Sequence, residues 1–187
     1  MWQELALKHA QESDPKESCG LLLIKKGKEV YFPCKNIAPD PTDQFILDPQ
    51  DYADAEDQGE ITAVIHSHPV TSPEPSQADK IACEKSGIKW WIVQPNLNKW
   101  TSFEPCGYKA PLIGRKWVFG LTDCWSLCRD WYYQELGIEL RDWERPNDHN
   151  DFLKNPMFNG CYEETGFREL LQEEELEKGD LLLMSIC

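Results

Sequence analysis

The chain has 187 residues, of which 41% are hydrophobic, with 33 acidic side chains against 19 basic ones. Its formal net charge of −14 argues against nucleic acid and anionic membrane surfaces as partners, because both require basic patches. We expect no membrane insertion, since a membrane-spanning helix needs a run of about 18 or more apolar residues and no stretch of the sequence approaches that length. Residues 1–12 lack the apolar core of a signal peptide, so we expect the protein to fold in a cytosol. We therefore expect most of its eight cysteines to be small buried hydrophobic residues and not disulfide partners.

Helices and short strands alternate along the first hundred residues. An amphipathic helix opens the chain, because Trp2, Leu5, Ala6 and His9 recur at helical spacing. Apolar runs and turn residues then predict strands at 18–24, 29–33, 45–47, 61–65, 88–94 and 100–103, and helices at 49–58 and 76–86. The order α-β-β-β-α-β-α-β-β favours a layered α+β architecture.

A change of composition predicts a second domain. Residues 106–114 contain prolines and glycines that interrupt the pattern, and we interpret them as a linker between domains at 1–105 and 115–187. A helix from Asp123 to Leu136, closed by Gly137, is the central element of the second domain. The acidic run at 173–177 is interpreted as a solvated helix end.

Two histidines at the end of a predicted strand suggest a metal site. His66 and His68 are two residues apart, so on a strand they point to the same face. Asp79 lies in the first turn of the next predicted helix, three residues after Ser76. Three protein ligands leave a fourth position for water, which is the pattern of a catalytic zinc. Surface histidine pairs are common, however, and Ser76 with Asp79 also fits a capping box without chemistry.

Three features together resemble the signature of the JAMM (MPN-type) zinc metalloproteases, and the resemblance covers residues 1–105. They are Glu17 before an apolar strand, H-x-H-P at 66–69 and S-x-x-D at 76–79. The resemblance implies a cytidine-deaminase-like α/β/α mixed sheet and hydrolysis of a peptide or isopeptide bond. It further implies that His66, His68 and Asp79 bind Zn²⁺, that Glu17 is the general acid/base, and that Ser76 donates a hydrogen bond to the oxyanion. A ubiquitin substrate is not expected in so compact a domain.

Cys124 is the candidate nucleophile of the second domain. It falls in the first turn of a helix, where free N–H groups favour a thiolate, although Cys124 and Cys128 also fit two structural cysteines. The segment GLTDCWSLCRDWYYQELGIEL, with GDLLLM at 179–184, resembles the NlpC-type cysteine peptidases, which are papain-like and cleave peptidoglycan. The base histidine of that family follows the Gly-Asp segment, and His149 stands at the wrong place in the order. We therefore expect either a longer chain or an inactive second half.

A JAMM unit followed by an NlpC-type unit resembles the lambda-type tail assembly proteins of tailed phages. This resemblance implies a role in tail-tip assembly or local wall digestion, with phage tail-tip proteins as partners and a peptide or peptidoglycan as substrate. The expected location is the host cytoplasm during assembly and the virion tail tip. Two alternatives remain open: a structural tail-tip component without catalysis, and a cellular JAMM peptidase that acts on a small protein modifier.

Overall fold

The computed structural model describes residues 1–146, 149–154 and 158–182, which fall into two units, Met1–Thr122 and Asp123–Cys187. The first unit contains a five-stranded sheet with the strand order β2-β1-β3-β4-β5. The strands are β1 (Cys19–Lys25), β2 (Lys28–Cys34), β3 (Glu60–Ser67), β4 (Lys89–Gln94) and β5 (Lys99–Phe103). The helices of this unit are α1 (Trp2–Ser13), α2 (Pro49–Glu56) and α3 (Gln77–Ser86).

The sheet is mixed because only one of its neighbouring pairs is parallel. Strand β1 pairs antiparallel with β2 and β3, β3 pairs parallel with β4, and β4 pairs antiparallel with β5. The parallel connection from β3 to β4 requires a crossover, which α3 provides. This crossover brings the start of α3 back over the end of β3.

Each face of the sheet is covered by helix, because alternate strand residues point to opposite faces. On one face α1 packs through Trp2 and Ala6 on Leu22 and Ile65. On the other face, Ala55 of α2 and Cys83 of α3 join one core cluster with strand residues that include Cys19, Leu21, Leu23, Val64 and Trp90. The expected α+β class, with a mixed sheet between helical layers, is confirmed.

Two sequence predictions of local structure are wrong. Residues 45–47 do not form a strand, because the pairing is limited to one bridge between Asn36 and Leu47. The next residue, Asp48, already caps α2 by accepting the Gln50 amide, which ends the extended run. The acidic run at 173–177 is exposed as expected but not helical: the Glu174 carboxylate accepts the Leu171 amide and pairs with Arg168, and such contacts compete with helix formation.

The predicted linker segment is attached to the first unit in the structure. The amides of Cys106 and Tyr108 both donate to the Glu84 carboxylate of α3 at 2.8 Å, and Ala110 is buried. The domain boundaries proposed from the sequence remain a prediction.

The second unit is built on α4 (Cys124–Leu136), which begins at the cap residue Asp123 and ends at Gly137 with a φ of 68°, as the sequence predicted. Trp125, Tyr132 and Leu140 form its buried cluster. Short helices α5 (His149–Lys154) and α6 (Phe158–Cys161) follow, then a 3₁₀ turn at Tyr162–Thr165. Of the segments singled out in the sequence, 147–148 and 183–187 lie outside the described residues. None of the described helices combines the length and apolar composition that crossing a membrane requires.

Candidate metal centre and catalytic residues

Two histidines at the end of β3 and a glutamate before β1 face the same side of the sheet. The ladder between β1 and β3 includes His66 and continues by one further pair, because the Ser67 amide donates to the Ser18 carbonyl at 3.0 Å. The same register places Glu17 opposite His68, and directly opposite residues of an antiparallel pair share a face. The sheet therefore brings Glu17 and both histidines together, although 48 residues or more separate them in sequence.

Asp79 reaches the two imidazoles from the first turn of α3. Its Oδ1 lies 3.2 Å from His66 Nε2, and its Oδ2 lies 3.5 Å from His68 Nε2. The two Nε2 atoms are 3.2 Å apart. Thus three potential ligand atoms converge from three buried residues, and they form a candidate metal-binding group within the described part of the chain.

These distances fit one tetrahedral zinc ion. With Zn–N and Zn–O bonds of about 2.0–2.1 Å, two ligand atoms at the tetrahedral angle are about 3.3 Å apart. The separation of the two Nε2 atoms and that of His66 Nε2 from Asp79 Oδ1 are both 3.2 Å, close to that value, and the second oxygen, Oδ2, lies 3.5 Å from His68 Nε2. A set of two imidazole nitrogens and one carboxylate oxygen is also typical of catalytic zinc, which keeps an open fourth position. The residues present therefore fit the metal that the sequence predicted.

Packing and hydrogen bonds fix the two rings. His68 Nδ1 lies 2.8 Å from the Ser72 carbonyl, an acceptor only, so Nδ1 donates this hydrogen bond and Nε2 is the ring atom turned toward Asp79 and His66. The ring of Phe45 stacks on His66 at 4.6 Å, and Trp90 meets it edge-on at 5.5 Å. Sequence reasoning missed Ser72 and Phe45, because neither lies in the motif.

The electrostatics of the site suit a metal ligand set. Burial lowers the pKa of His66, which keeps this imidazole neutral and able to coordinate. For Asp79, burial acts to raise the pKa, but hydrogen bonds from His66 and His68 outweigh it and hold the pKa far below its usual range. Burial also acts to lower the pKa of His68, yet the contacts with Asp79 and the Ser72 carbonyl leave it raised. The site thus presents an ionised carboxylate and imidazoles.

Glu17 is buried and carries a strongly perturbed carboxyl group. Burial raises its pKa to about 8 in the metal-free chain, while the neighbouring His68 acts to lower it and Asp79 to raise it. The Glu17 backbone is held in place, because its amide donates to the Pro41 carbonyl and its carbonyl accepts from the Asn36 side chain. A buried carboxyl beside the ligand group is the environment of a general acid/base.

Ser76 is the N-cap of α3, and its capping role and predicted catalytic role are compatible. Its Oγ accepts the Asp79 amide at 3.1 Å, and its own amide donates to Asp79 Oδ2 at 2.7 Å. The capping box considered in the sequence is therefore present, and it also orients the Asp79 carboxylate. Ser76 is exposed, and its hydroxyl hydrogen remains able to donate to a ligand.

Cys124 lies at the first position of α4 with an exposed side chain, and Cys128 is half-buried one turn later. The preceding Asp123 is buried and caps the helix by accepting the Ser126 amide at 2.9 Å. Arg145 pairs with both oxygens of this carboxylate at 3.1 Å, a contact that sequence reasoning missed because 22 residues separate the partners. The His149 side chain lies outside the described part of the chain, so Cys124 has no described partner base.

Comparison with known families and proteins finds two family matches and two similar phage proteins. Residues 2–105 match Prok-JAB, the prokaryotic homologs of the JAB domain, and residues 114–186 match the NlpC/P60 family. Tail tip assembly protein K of Escherichia phage N15 is 38% identical over 180 residues, which cover 95% of this chain and 72% of that protein. Tail tip assembly protein K of Escherichia phage lambda is 36% identical over 123 residues, or 63% of this chain and 58% of that protein.

Two solved structures resemble about half of the chain. A protein from Desulfitobacterium hafniense has a TM-score of 0.45 at 26% identity, over 54% of this chain and 76% of that one. A JAB1/MPN domain protein from Archaeoglobus fulgidus has a TM-score of 0.37 at 20% identity, over 55% of this chain and 83% of that one.

Proposed function

The chain belongs to the family of tail tip assembly protein K, and we propose that it is a tail-tip assembly peptidase whose Prok-JAB unit hydrolyses a peptide or isopeptide bond with a bound zinc ion. The observation that carries this proposal is the convergence of His66 Nε2, His68 Nε2 and the Asp79 carboxylate beside a buried glutamate. A site that only binds metal has no need of a buried carboxyl such as Glu17.

His66, His68 and Asp79 would hold the zinc ion. Bound there, zinc supplies a Lewis acid and lowers the pKa of a water molecule to about 7, which gives a nucleophile at neutral pH. The carboxylate of Glu17 accepts the proton that the attacking water loses and delivers it to the nitrogen of the leaving amine. Proton transfer by a positioned side chain is worth about a hundredfold to ten-thousandfold in rate.

Ser76 supports the same reaction as an oxyanion donor. Its hydroxyl donates a hydrogen bond to the carbonyl oxygen of the substrate as negative charge develops there, which contributes roughly 3 kcal/mol in comparable sites. Because the Ser76 amide also holds Asp79 Oδ2, one residue positions a metal ligand and the substrate oxygen together.

For the second unit we propose a cysteine peptidase that acts on peptidoglycan, with Cys124 as the nucleophile. The exposed position of Cys124 at the start of α4 supports this role, because it leaves the sulfur accessible to a substrate.

The experiment that tests the proposed function combines hydrolysis with tail assembly. The zinc-loaded chain is incubated with purified tail-tip proteins and a mixture of synthetic peptides, and new N-termini are identified by mass spectrometry. We expect cleavage products that are absent with Glu17→Gln and retained with Glu12→Gln, an exposed glutamate on α1. Phage that carry Glu17→Gln and still assemble normal tails would instead indicate a structural, non-catalytic component.

The proposed partners are phage tail-tip proteins, and the proposed locations are the host cytoplasm during assembly and the virion tail tip.

A further inference from the structure

A cleft of about 550 Å³ lies beside the ends of β4 and β5 in the first unit. One wall is the 72–74 loop that follows the H-x-H-P run, and the other is formed by the ends of β4 and β5. The residues that matter to its chemistry are Ser72, Glu74, Gln94, Leu97, Lys99 and Thr101. The Ser72 carbonyl accepts a hydrogen bond from His68 Nδ1, so this wall of the cleft directly contacts a residue of the metal centre.

The strand register aligns the cleft with His68. Ser67 pairs with Val93 in the parallel ladder of β3 and β4, and the His68 amide donates to the Val93 carbonyl at 2.9 Å. Gln94 is therefore the neighbour of His68 on β4, and Lys99 is the partner of Gln94 on β5. Neighbouring residues in register share a face, so a straight row runs from His68 through Gln94 to Lys99.

This row has the length and the polarity of a peptide-binding subsite. Neighbouring strands are about 4.8 Å apart, so Lys99 lies about 10 Å from His68, which is the span of about three residues of an extended peptide. The amide of Gln94 and the hydroxyl of Thr101 can bind peptide N–H and C=O groups along that path. At its far end the row finishes in an ammonium group, although the chain as a whole has a net charge of −14.

We propose that this cleft binds the substrate peptide on one side of the cleaved bond, and that Lys99 selects a carboxylate two or three residues away from that bond. The proposal rests on the proposed function, because the metal centre defines where the bond is cleaved. Glu74 on the opposite wall repels a second carboxylate, so the preferred substrate carries one acidic group at this position rather than an acidic run.

Peptide hydroxamates test the proposal, because a hydroxamate binds zinc and so fixes the peptide at the metal centre. A series of alanine peptides carries this group at one end and a single Glu one, two, three or four residues away, and each has a Gln counterpart. Binding to the zinc-loaded Glu17→Gln chain is measured by calorimetry. We expect Glu to improve affinity about threefold to fivefold over Gln at the second or third position, as for a solvent-exposed ion pair.

Two variants identify the residue responsible. Lys99→Gln should remove the preference for Glu over Gln peptides. Lys28→Gln is the matched control and should keep that preference, because Lys28 is also the first residue of an edge strand but lies at the opposite edge of the sheet. Equal binding of Glu and Gln peptides at every position, or a preference that survives Lys99→Gln, would overturn the cleft proposal. Failure of every hydroxamate to bind would instead contradict the proposed zinc site, and the cleft proposal with it.

Discussion

Ser18 and Ser67 are joined by two hydrogen bonds at the ends of β1 and β3: the Ser67 amide donates to the Ser18 carbonyl at 3.0 Å, and the Ser18 amide donates to Ser67 Oγ at 2.8 Å. Both residues are buried, and each directly adjoins a residue of the site, Glu17 on one strand and His66 and His68 on the other. This pair thereby fixes the position of the candidate acid/base relative to the candidate ligands.

Replacing Ser67 tests this role. Ser67→Ala leaves the buried Ser18 amide without its acceptor, which costs about 1–3 kcal/mol of stability. We expect hydrolysis to fall by about tenfold to a hundredfold as Glu17 shifts, with zinc content unchanged. Thr62→Val is the control. The Thr62 hydroxyl also joins these two strands, because it donates to the Leu22 carbonyl, but it does so away from the site. Equal loss of activity in both variants would argue against a positioning role.

Glu17→Gln separates chemistry from metal binding. The substitution keeps the shape of the side chain but removes its ability to accept a proton, so the rate of hydrolysis should fall by about a hundredfold to ten-thousandfold. Zinc content should stay the same, because Glu17 is not among the three converging ligand residues. Turnover measured beside metal analysis checks both points, and an unchanged rate would remove Glu17 from the mechanism.

The raised pKa of Glu17 predicts a pH dependence of stability in the metal-free chain. Burial raises this pKa from 4.5 to about 8, so the folded state holds the proton more tightly than the unfolded state does. The contribution of Glu17 to stability is therefore complete below pH 4.5 and is lost as the pH rises through about 8. Urea unfolding should show wild type losing more stability than Glu17→Gln over this range, and parallel pH profiles would contradict the assignment.

The buried ion pair of the second unit predicts a large effect on α4. Arg145→Met removes the guanidinium that pairs with the buried Asp123 carboxylate, and breaking a buried pair in this way typically costs about 3–5 kcal/mol. The matched control is Arg141→Met, since Arg141 pairs with Glu164 on the exposed surface, where such pairs contribute about 0–1 kcal/mol. Hydrogen exchange of the α4 amides measures the difference, and similar protection in the two variants would contradict it.

Local sequence signals predicted most of the first unit. Alternating or continuous apolar runs located all five strands, and the cap residues Ser76 and Gly87 located α3. The prediction for 45–47 was wrong because a short apolar run does not reveal that its neighbour Asp48 already caps a helix. The 173–177 prediction was wrong because acidic side chains there bind backbone amides and arginine instead of extending a helix.

The candidate site was predictable only where its residues form a motif. His66, His68, Ser76 and Asp79 lie within 14 residues, and local geometry brings them together. By contrast, the stacking of Phe45 on His66 and the pairing of Arg145 with Asp123 join residues about 20 apart. Such contacts depend on the tertiary fold, so no spacing rule in a single sequence reveals them.

Metal analysis of the purified chain tests the central claim most directly. We predict about one zinc per chain for the wild type, and loss of most of it in His68→Ala, because that variant removes one of the three converging ligand atoms. His9→Ala, which alters a histidine paired with Tyr31 instead, should retain the metal. A His68→Ala protein that keeps its full zinc content, or a wild type that binds none, would contradict the account.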